Sequence, residues 1–332
     1  MKKIILLITI LLASIFLTSC GNKALKDDCG CFVNYEDAVS FAKKKKLPLL
    51  VFFTSEGDDD SSIQLVSDIL KDASFSEDVA KKYSVLHIDF SQNAYQKTIA
   101  PDNATSKDQE LANAYTTIMQ NNYQLAMLFN VDSTPAVFLC TKDGYVVTPV
   151  ITDDYFVNVS EFNQALEECA PKLESFNNMV AQTKKGSALD KVEAIDALYM
   201  ATDASYRTFL IELVSSVPKI DKKNETGLCS KYIVAAAEAE ALSAYSQGDV
   251  ETAVRKYLEA ADNNFVKPED KQECFYTAAY LVAYSGSEDY KGILSYLQTA
   301  YDIAPESSKA KAINEAIEYF KTIVENQAEI PQ

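Results

Sequence analysis

The sequence predicts an α/β domain followed by an all-α domain, and three patterns lead to this prediction. An apolar run, a polar turn and a helical pattern follow one another within residues 47–70. Patterns typical of strands and of helices then alternate as far as residue 172. From residue 173 strand-like runs disappear, and apolar residues recur at helical spacing. The predicted domains therefore cover residues 34–172 and 173–332.

The first domain is built around residues 47–70. The run 49–53 is short, aromatic and β-branched, which predicts a buried strand. Gly57 and residues 58–62 supply turn and N-cap chemistry. The apolar residues that follow at helical spacing are Ile63, Leu65, Val66, Ile69 and Leu70. The segment is therefore predicted to be a strand that delivers a loop to the N-terminus of a helix.

A second segment follows further along the chain. Thr134 and Pro135 precede a strand pattern at 136–141, and a turn at 142–144 leads to another strand pattern at 145–151. This order predicts a β-hairpin directly after a proline. A helix at 160–174 is predicted to close the domain.

Together the two segments resemble the active-site segment and the proline segment of thioredoxin-fold proteins. The resemblance covers about residues 35–169 and implies a mixed central sheet with helices on both faces, in the order β-α-β-α-β-β-α. It also implies that Pro135 is cis and faces the active-site loop. The matching residues are Thr54, Ile63 and Leu65 in the first segment and Phe129, Val131, Thr134, Pro135 and Phe138 in the second.

The resemblance fails at the two redox positions, because its register places Asp59 and Ser62 where the cysteines of C-x-x-C would stand. Disulfide exchange needs a thiolate that attacks and a second thiol that releases the mixed disulfide. A carboxylate and a hydroxyl do neither. We therefore assign no catalytic residue here and expect a redox-silent domain that binds or scaffolds another protein beside Thr134 and Pro135.

An alternative function rests on Cys29-Gly30-Cys31. A C-x-C pair closes only a strained ring, and strained disulfides are more oxidising, so the pair predicts a thiol-disulfide oxidoreductase or isomerase-like activity. The other interpretation is that both cysteines are structural. Two ligands do not make a zinc site, and His87 is the only histidine, so no cofactor is predicted. Apart from Cys20 the cysteines are Cys29, Cys31, Cys140, Cys169, Cys229 and Cys274, which leaves their pairing open.

A cluster of three carboxylates at the helix start has two interpretations. Asp58, Asp59 and Asp60 meet the positive end of the helix dipole, and the simpler interpretation is that one caps the helix while the others are solvated. The other is a divalent-cation site. Hard cations need six or more oxygens from several segments, and three adjacent residues cannot all converge, so the first interpretation is favoured.

The N-terminus resembles a bacterial lipoprotein signal. Lys2 and Lys3 precede an apolar run of signal-peptide length, and 17–21 resembles a lipobox ending at Cys20. The resemblance implies cleavage after residue 19, a lipid on Cys20 and a tether over 20–33, without a membrane-spanning helix. Gly21 does not resemble an inner-membrane retention signal, so an outer-membrane location in the cell envelope is expected.

The formal net charge of −17 limits the possible partners. An acidic protein repels phosphate backbones and anionic headgroups, which disfavours nucleic acid and charge-driven membrane contact, so no nucleic-acid partner is expected and membrane contact is expected through the lipid. The predicted partner is an envelope protein or peptide. The sequence leaves the oligomeric state open.

The remaining segments carry patterns of their own. Alternation at 85–90 predicts a strand in which His87 is partly buried and hydrogen-bonded. Residues 91–107 are polar and predict a loop. The other helices expected in the first domain cover 35–46, 76–83 and 108–129. Those expected in the second cover 173–184, 188–201, 205–220, 227–246, 250–263, 271–285, 290–303 and 308–328.

Two helix pairs of the second domain resemble tetratricopeptide repeats. The first pair matches at Ala241, Ala244, Gly248, Asp249, Ala253, Tyr257 and Ala260, and the second at Tyr284, Leu297, Ala300 and Pro305. Small residues at these places let helices approach closely. A generic all-helical domain has the same packing needs, so both interpretations remain open. A repeat stack would present a groove for a polypeptide.

Overall fold

The computed structural model describes residues 24–150 and 158–328. The chain forms two compact units. Of the described residues, the first unit holds 24–150, 158–178 and Thr202–Phe209, and the second holds Met179–Ala201 and 210–328. The predicted signal sequence and Cys20 lie outside the described residues.

The first unit contains a four-stranded mixed sheet. Its strands are β1 (Leu49–Thr54), β2 (Ser84–Asp89), β3 (Ala136–Cys140) and β4 (Val146–Pro149). They lie in the order β2-β1-β3-β4, with β1 parallel to β2 and antiparallel to β3. The mixed sheet is confirmed.

Strand β1 is central because it is paired on both sides and covered on both faces. All six of its residues are buried. Leu50 and Phe52 belong to one hydrophobic core, while Leu49, Val51 and Phe53 belong to the core on the opposite face. Because both faces of β1 are buried, its residues are almost all apolar and do not alternate between apolar and polar.

The helices of the first unit begin at side-chain caps. Helix α1 spans Tyr35–Lys45, α2 spans Asp60–Leu65, α3 spans Gln92–Gln96, α4 spans Ser106–Leu128 and α5 spans Val159–Gln182. Asn34, Asp59 and Ser91 accept backbone N–H groups at the starts of α1, α2 and α3, and Thr105 forms a capping box at α4. Such caps satisfy N–H groups that have no partner within the helix.

Two local predictions in this unit need correction. The short helix expected at 76–83 is present but ends earlier, as a π-helical turn at Phe75–Val79 that buries Phe75 and Val79. The loop expected at 91–107 contains α3, because the Ser91 hydroxyl caps the N–H of Ala94. Another π-helical turn, Val66–Leu70, continues α2 within the predicted helical stretch.

Separate helices at 160–174 and 173–184 were also predicted, and this was wrong because α5 is continuous. Its core-facing residues recur every three or four positions on both sides of the proline, at Phe162, Leu166, Cys169, Leu173, Phe176 and Val180. Pro171 lies inside the helix. The loss of one backbone hydrogen bond at this proline is outweighed by the continuous apolar face.

The helix predicted at 205–220 is divided into three pieces. They are a 3-10 helix at Ala204–Leu210, α7 at Ile211–Val214 and α8 at Val217–Ile220. The first piece turns its aromatic residues into the first unit, and Pro218 supplies no backbone N–H to continue a longer helix. Tertiary packing therefore overrides the helical pattern here.

The second unit is helical throughout its described part. The sequence predicts its helices to within a few residues, namely α6 (Ala188–Ala201), α9 (Cys229–Ser246), α10 (Val250–Ala261), α11 (Pro268–Tyr284), α12 (Tyr290–Ile303) and α13 (Ala310–Ala328). Consecutive helices from α9 to α13 pack on one another around two small cores. Within the described ranges, no helix combines the length and apolar character needed to cross a membrane.

Candidate functional site

Asp59 joins the loop after β1 to the segment before β3. It is the N-cap of α2, where its Oδ1 accepts the backbone N–H of Ser62 at 2.6 Å. Its Oδ2 accepts the hydroxyl of Thr134 at 2.9 Å. The Asp59 carboxylate therefore links the two segments that carry the resemblance to thioredoxin-fold proteins.

Ser62 is fully buried beneath this loop. Its Oγ accepts the backbone N–H of Ser55 at 2.9 Å. The residues at both redox positions thus act as hydrogen-bond acceptors for the loop, and neither carries sulfur. The geometry offers no group that forms or breaks a disulfide at this place.

The pKa of Asp59 reflects these contacts. Partial burial works to raise it, but hydrogen bonds from Ser62 and Thr134 favour the ionised form more strongly and lower the pKa below its usual value. The carboxylate is therefore ionised at neutral pH and acts as a fixed acceptor.

The Thr134–Pro135 segment lies at the surface beside Asp59. The peptide bond between the two residues is cis, and both side chains are half-buried. Within the described part of the chain, neither the N–H nor the C=O of Thr134 has a backbone hydrogen-bond partner. Ser133 next to it is exposed. The segment therefore presents an unpaired stretch of backbone.

The three carboxylates at this helix start do not converge. The Oδ2 of Asp58 accepts the backbone N–H of Gln92 at 2.9 Å, Asp59 faces Ser62 and Thr134, and Asp60 is exposed. Among residues 24–150 and 158–328, no group of three or more His, Cys, Asp or Glu side chains is arranged to hold a metal ion. One carboxylate caps the helix.

The Cys29-Gly30-Cys31 loop is held by Asp27. The Oδ1 of Asp27 accepts the backbone N–H groups of Cys29 at 3.0 Å and of Cys31 at 2.8 Å. Gly30 adopts φ 77°, which favours glycine. Phe32 is buried and bridges to Leu86 of β2. The part of the predicted tether from residue 26 onward is therefore attached to the sheet.

Asp27 also begins a buried polar chain. Its Oδ2 lies 2.6 Å from Nδ1 of His87, and Nε2 of His87 lies 2.8 Å from the hydroxyl of Thr54. His87 and Thr54 are both buried. His87 is thus hydrogen-bonded on both ring nitrogens, as expected for a buried histidine without a nucleophile beside it. The chain connects the C-G-C loop to the last residue of β1.

The two thiols of this loop differ in access. Cys29 is partly exposed, and burial together with the Asp27 carboxylate raises its pKa to about 11, although the Lys71 ammonium acts in the opposite direction. Cys31 is buried, and burial raises its pKa further. Both are therefore protonated thiols at neutral pH. The six cysteines of the described residues are all free thiols.

The other four cysteines lie apart from this loop. Cys140 is buried in β3, while Cys229 and Cys274 are buried in helices of the second unit. Cys169 is partly buried and packs against the core that contains Leu50 and Phe52.

Sequence reasoning missed Asp27 and the role of Thr54. The available signal is that Thr54 and His87 are polar residues within apolar strands, where each needs a buried partner. Asp27, two residues before Cys29, supplies one of them. The pairing was not predictable, since Asp27 and His87 are 60 residues apart.

Two family models match parts of this chain. A family model described as a thioredoxin-like domain matches residues 35–169, and one described as an uncharacterised protein C-terminal domain matches residues 228–326. The chain therefore contains a thioredoxin-like domain followed by a helical C-terminal domain. No curated protein gives a significant match. Among solved structures, a DsbH oxidoreductase is similar at 14% identity and a TM-score of 0.30, covering 47% of this chain and 95% of the other.

Proposed function

We propose that the thioredoxin-like domain is a redox-silent module that binds an extended polypeptide of the cell envelope. The observation that carries the proposal is the Asp59–Thr134 hydrogen bond, which puts a structural carboxylate where a reactive sulfur would be needed. The fold keeps the loop after β1 beside the Thr134–Pro135 segment but lacks the thiols that disulfide exchange needs. The function left to this surface is the binding of a polypeptide.

The binding edge is the backbone of Thr134. Its N–H and C=O are unpaired within the described residues, and an extended partner could add to them as a strand adds to a sheet edge. Main-chain hydrogen bonds of this kind tolerate many sequences, which suits a scaffold or holding protein.

The test is binding of a permanently unfolded, carboxymethylated polypeptide. A photo-crosslinker at Ser133, which is exposed, should capture this probe. Thr134→Arg should weaken binding at least tenfold, because its long charged side chain obstructs the edge. Thr117→Arg introduces the same charge at an exposed position of α4 and should bind as wild type does. Equal binding by all three proteins would refute the proposal.

We also propose that the protein is displayed from the outer membrane of the envelope by a lipid on Cys20. The sequence pattern at 17–21 supports this proposal. Cys20→Ala should move the protein from the membrane fraction to the soluble fraction after cell disruption. Retention of the variant in the membrane fraction would contradict lipid anchoring.

A second candidate function is thiol-disulfide exchange at Cys29 and Cys31. The observation in its favour is their placement, with an accessible Cys29 near Lys71 and a buried Cys31 behind it. Cys29 would lose its proton and attack a client disulfide as the thiolate, and the released client thiolate would take up a proton. Cys31 would then lose its proton and attack the Cys29 sulfur of the mixed disulfide, forming Cys29–Cys31 and releasing the second client sulfur, which is protonated in turn. The client is reduced by two electrons and the pair is oxidised.

Insulin reduction and refolding of a scrambled protein separate the two functions. Activity that disappears in a Cys29→Ser, Cys31→Ser variant would support exchange. The absence of activity in both proteins, with the unfolded probe still bound, would support the redox-silent module.

A further inference from the structure

Helix α11 carries a row of tyrosines on its surface. Tyr276, Tyr280 and Tyr284 follow one another at intervals of four residues, which places them on one side of a helix. Their ring centroids are 4.7 Å and 5.7 Å apart, and the hydroxyl of Tyr276 donates to that of Tyr280. The row is a continuous aromatic surface.

This surface is not part of the core. Tyr280 is 37% exposed and Tyr284 is 75% exposed. The buried residues Cys274 and Ala278 of the same helix lie on its other side and pack into one core, while Ala279 packs into a second core. Tyr276 is partly packed at the edge of one of these cores. Exposed aromatic residues in a contiguous row are typical of binding surfaces.

Carboxylates accompany the tyrosine row on α11 itself and on α9, a helix that packs against it. Glu273 lies one turn before Tyr276 on the same side of α11, and the exposed Glu238 lies on α9. Burial raises the pKa of the neighbouring Tyr257 hydroxyl to about 12, and the charges of Glu238 and Glu273 both add to this effect. The charges of both carboxylates therefore act at the same hydroxyl, and the helices that carry them, α9 and α11, pack against each other.

The carboxylates are available to a cationic partner. Lys309 contacts Glu273, but both side chains are well exposed, and exposed ion pairs contribute little stability. Among the described residues no cation pairs with Glu238. The net charge of −17 also repels an anionic partner and attracts a basic one.

We propose that this tyrosine–glutamate surface, made of Glu238, Glu273, Tyr280 and Tyr284, binds polypeptide segments that present lysine or arginine side chains. An ammonium or guanidinium group over a tyrosine ring is attracted by the ring's electrons, and the carboxylates complete the site. Arginine binds more tightly than lysine, because its planar group also stacks on aromatic rings. This site is independent of the Thr134 edge.

The test uses a fluorescein-labelled decapeptide of alternating Arg and Gly, with the Glu–Gly peptide as its counterpart. Anisotropy should detect binding of the arginine peptide alone. Tyr280→Ala with Tyr284→Ala should weaken that binding about tenfold, as expected for two exposed cation–π contacts. Tyr284→Phe keeps the ring and should bind as wild type does. Tyr319→Ala removes a tyrosine that is 64% exposed on α13 and is the matched control.

Salt dependence provides a second measurement. Glu238→Gln with Glu273→Gln should weaken binding at low salt and flatten its decrease with rising salt. The proposal is overturned if the double tyrosine variant binds as tightly as wild type, or if Tyr319→Ala loses as much, since both results indicate general attraction to an acidic protein. Thr134→Arg should leave binding of the arginine peptide unchanged, which separates this outcome from failure of the proposed function.

Discussion

Asp59 shows how one residue determines both the chemistry and the local stability of a loop. Its carboxylate caps α2 and accepts the Thr134 hydroxyl, so it links two segments that are 75 residues apart. A thiol at the same position would make weaker hydrogen bonds but would react with disulfides. A carboxylate in place of a thiol at this position therefore favours a rigid, unreactive loop.

The stability contribution of Asp59 should depend on pH. Asp59→Ala should lower the free energy of unfolding by about 1–2 kcal/mol at pH 7, because it removes an N-cap and a second hydrogen bond. The pKa of Asp59 is lower in the folded protein than its usual 3.8, so the ionised form contributes stability above that value. This contribution is lost as pH falls through the folded-state pKa.

Urea denaturation at pH 7 and at pH 3 measures this difference. The gap between wild type and Asp59→Ala should narrow at the lower pH. Asp59→Asn retains a good cap and should lie closer to wild type at pH 7. A gap of equal size at both pH values would contradict the assignment.

The Cys29 thiol should be slow to alkylate at neutral pH. Because its folded-state pKa is about 11, against an ordinary value of 9.0, the reactive thiolate is scarce until the pH exceeds about 10. Iodoacetamide labelling followed by mass spectrometry gives the rate at each pH. The same cysteine in urea-denatured protein is the control, and its rate should rise about two pH units earlier. Coincident profiles would show that the loop does not perturb Cys29.

At the level of elements, the C-G-C loop and two strands are joined by side chains. Asp27 anchors the loop amides, His87 comes from β2 and Thr54 ends β1. Burying such groups is unfavourable unless each has a partner, so removing one leaves the others unsatisfied. Asp27, His87 and Thr54 therefore depend on one another for their hydrogen bonds.

His87→Leu should release the loop. The change leaves Asp27 and Thr54 without their partner and should lower the free energy of unfolding by about 1–3 kcal/mol. Hydrogen exchange of the Cys29 and Cys31 amides, read by mass spectrometry or NMR, should accelerate. Asp28→Asn alters an exposed neighbour and should leave that exchange unchanged. Unchanged exchange in His87→Leu would show that Asp27 holds the loop without His87.

At the level of the whole molecule, the two compact units do not follow the chain in simple order. Thr202–Phe209 belongs to the first unit although the chain has already passed through α6. Within that unit Phe209 lies 4.7 Å from the ring of Phe129, and Tyr206 lies 6.0 Å from that of Phe138. The thioredoxin-like unit therefore includes aromatic residues beyond the matched family segment, which ends at 169.

Phe209→Ala should destabilise the first unit. Loss of a partly buried aromatic ring from this cluster should lower the free energy of unfolding by about 2–3 kcal/mol. Hydrogen exchange of β1 and β3 in moderate urea reports on this unit specifically. Met127→Ala removes a side chain that is 72% exposed in the same unit and should have little effect. Equal exchange in both variants would contradict the assignment of Phe209 to this core.

Much of this fold was predictable because its signals are local. The boundaries of α6 and α12 follow from helical spacing and from the punctuating residues around them, and the continuous burial of β1 follows from its apolar run. The 205–220 segment was not predictable, because its helical pattern says nothing about which core its aromatic residues enter. Pro171 similarly gives no local sign that the apolar face of α5 continues past it.

The sequence by itself determined the order of elements, the thioredoxin-like class and the absence of sulfur at Asp59 and Ser62, since each depends on residue identity and short spacing. Only the tertiary structure decided that Asp59 bonds Thr134, that Asp27 reaches His87 and that Phe209 joins the first core. These contacts join residues that are distant in the chain. Their geometry follows from the packing of the whole sheet and its helices, which no local pattern records.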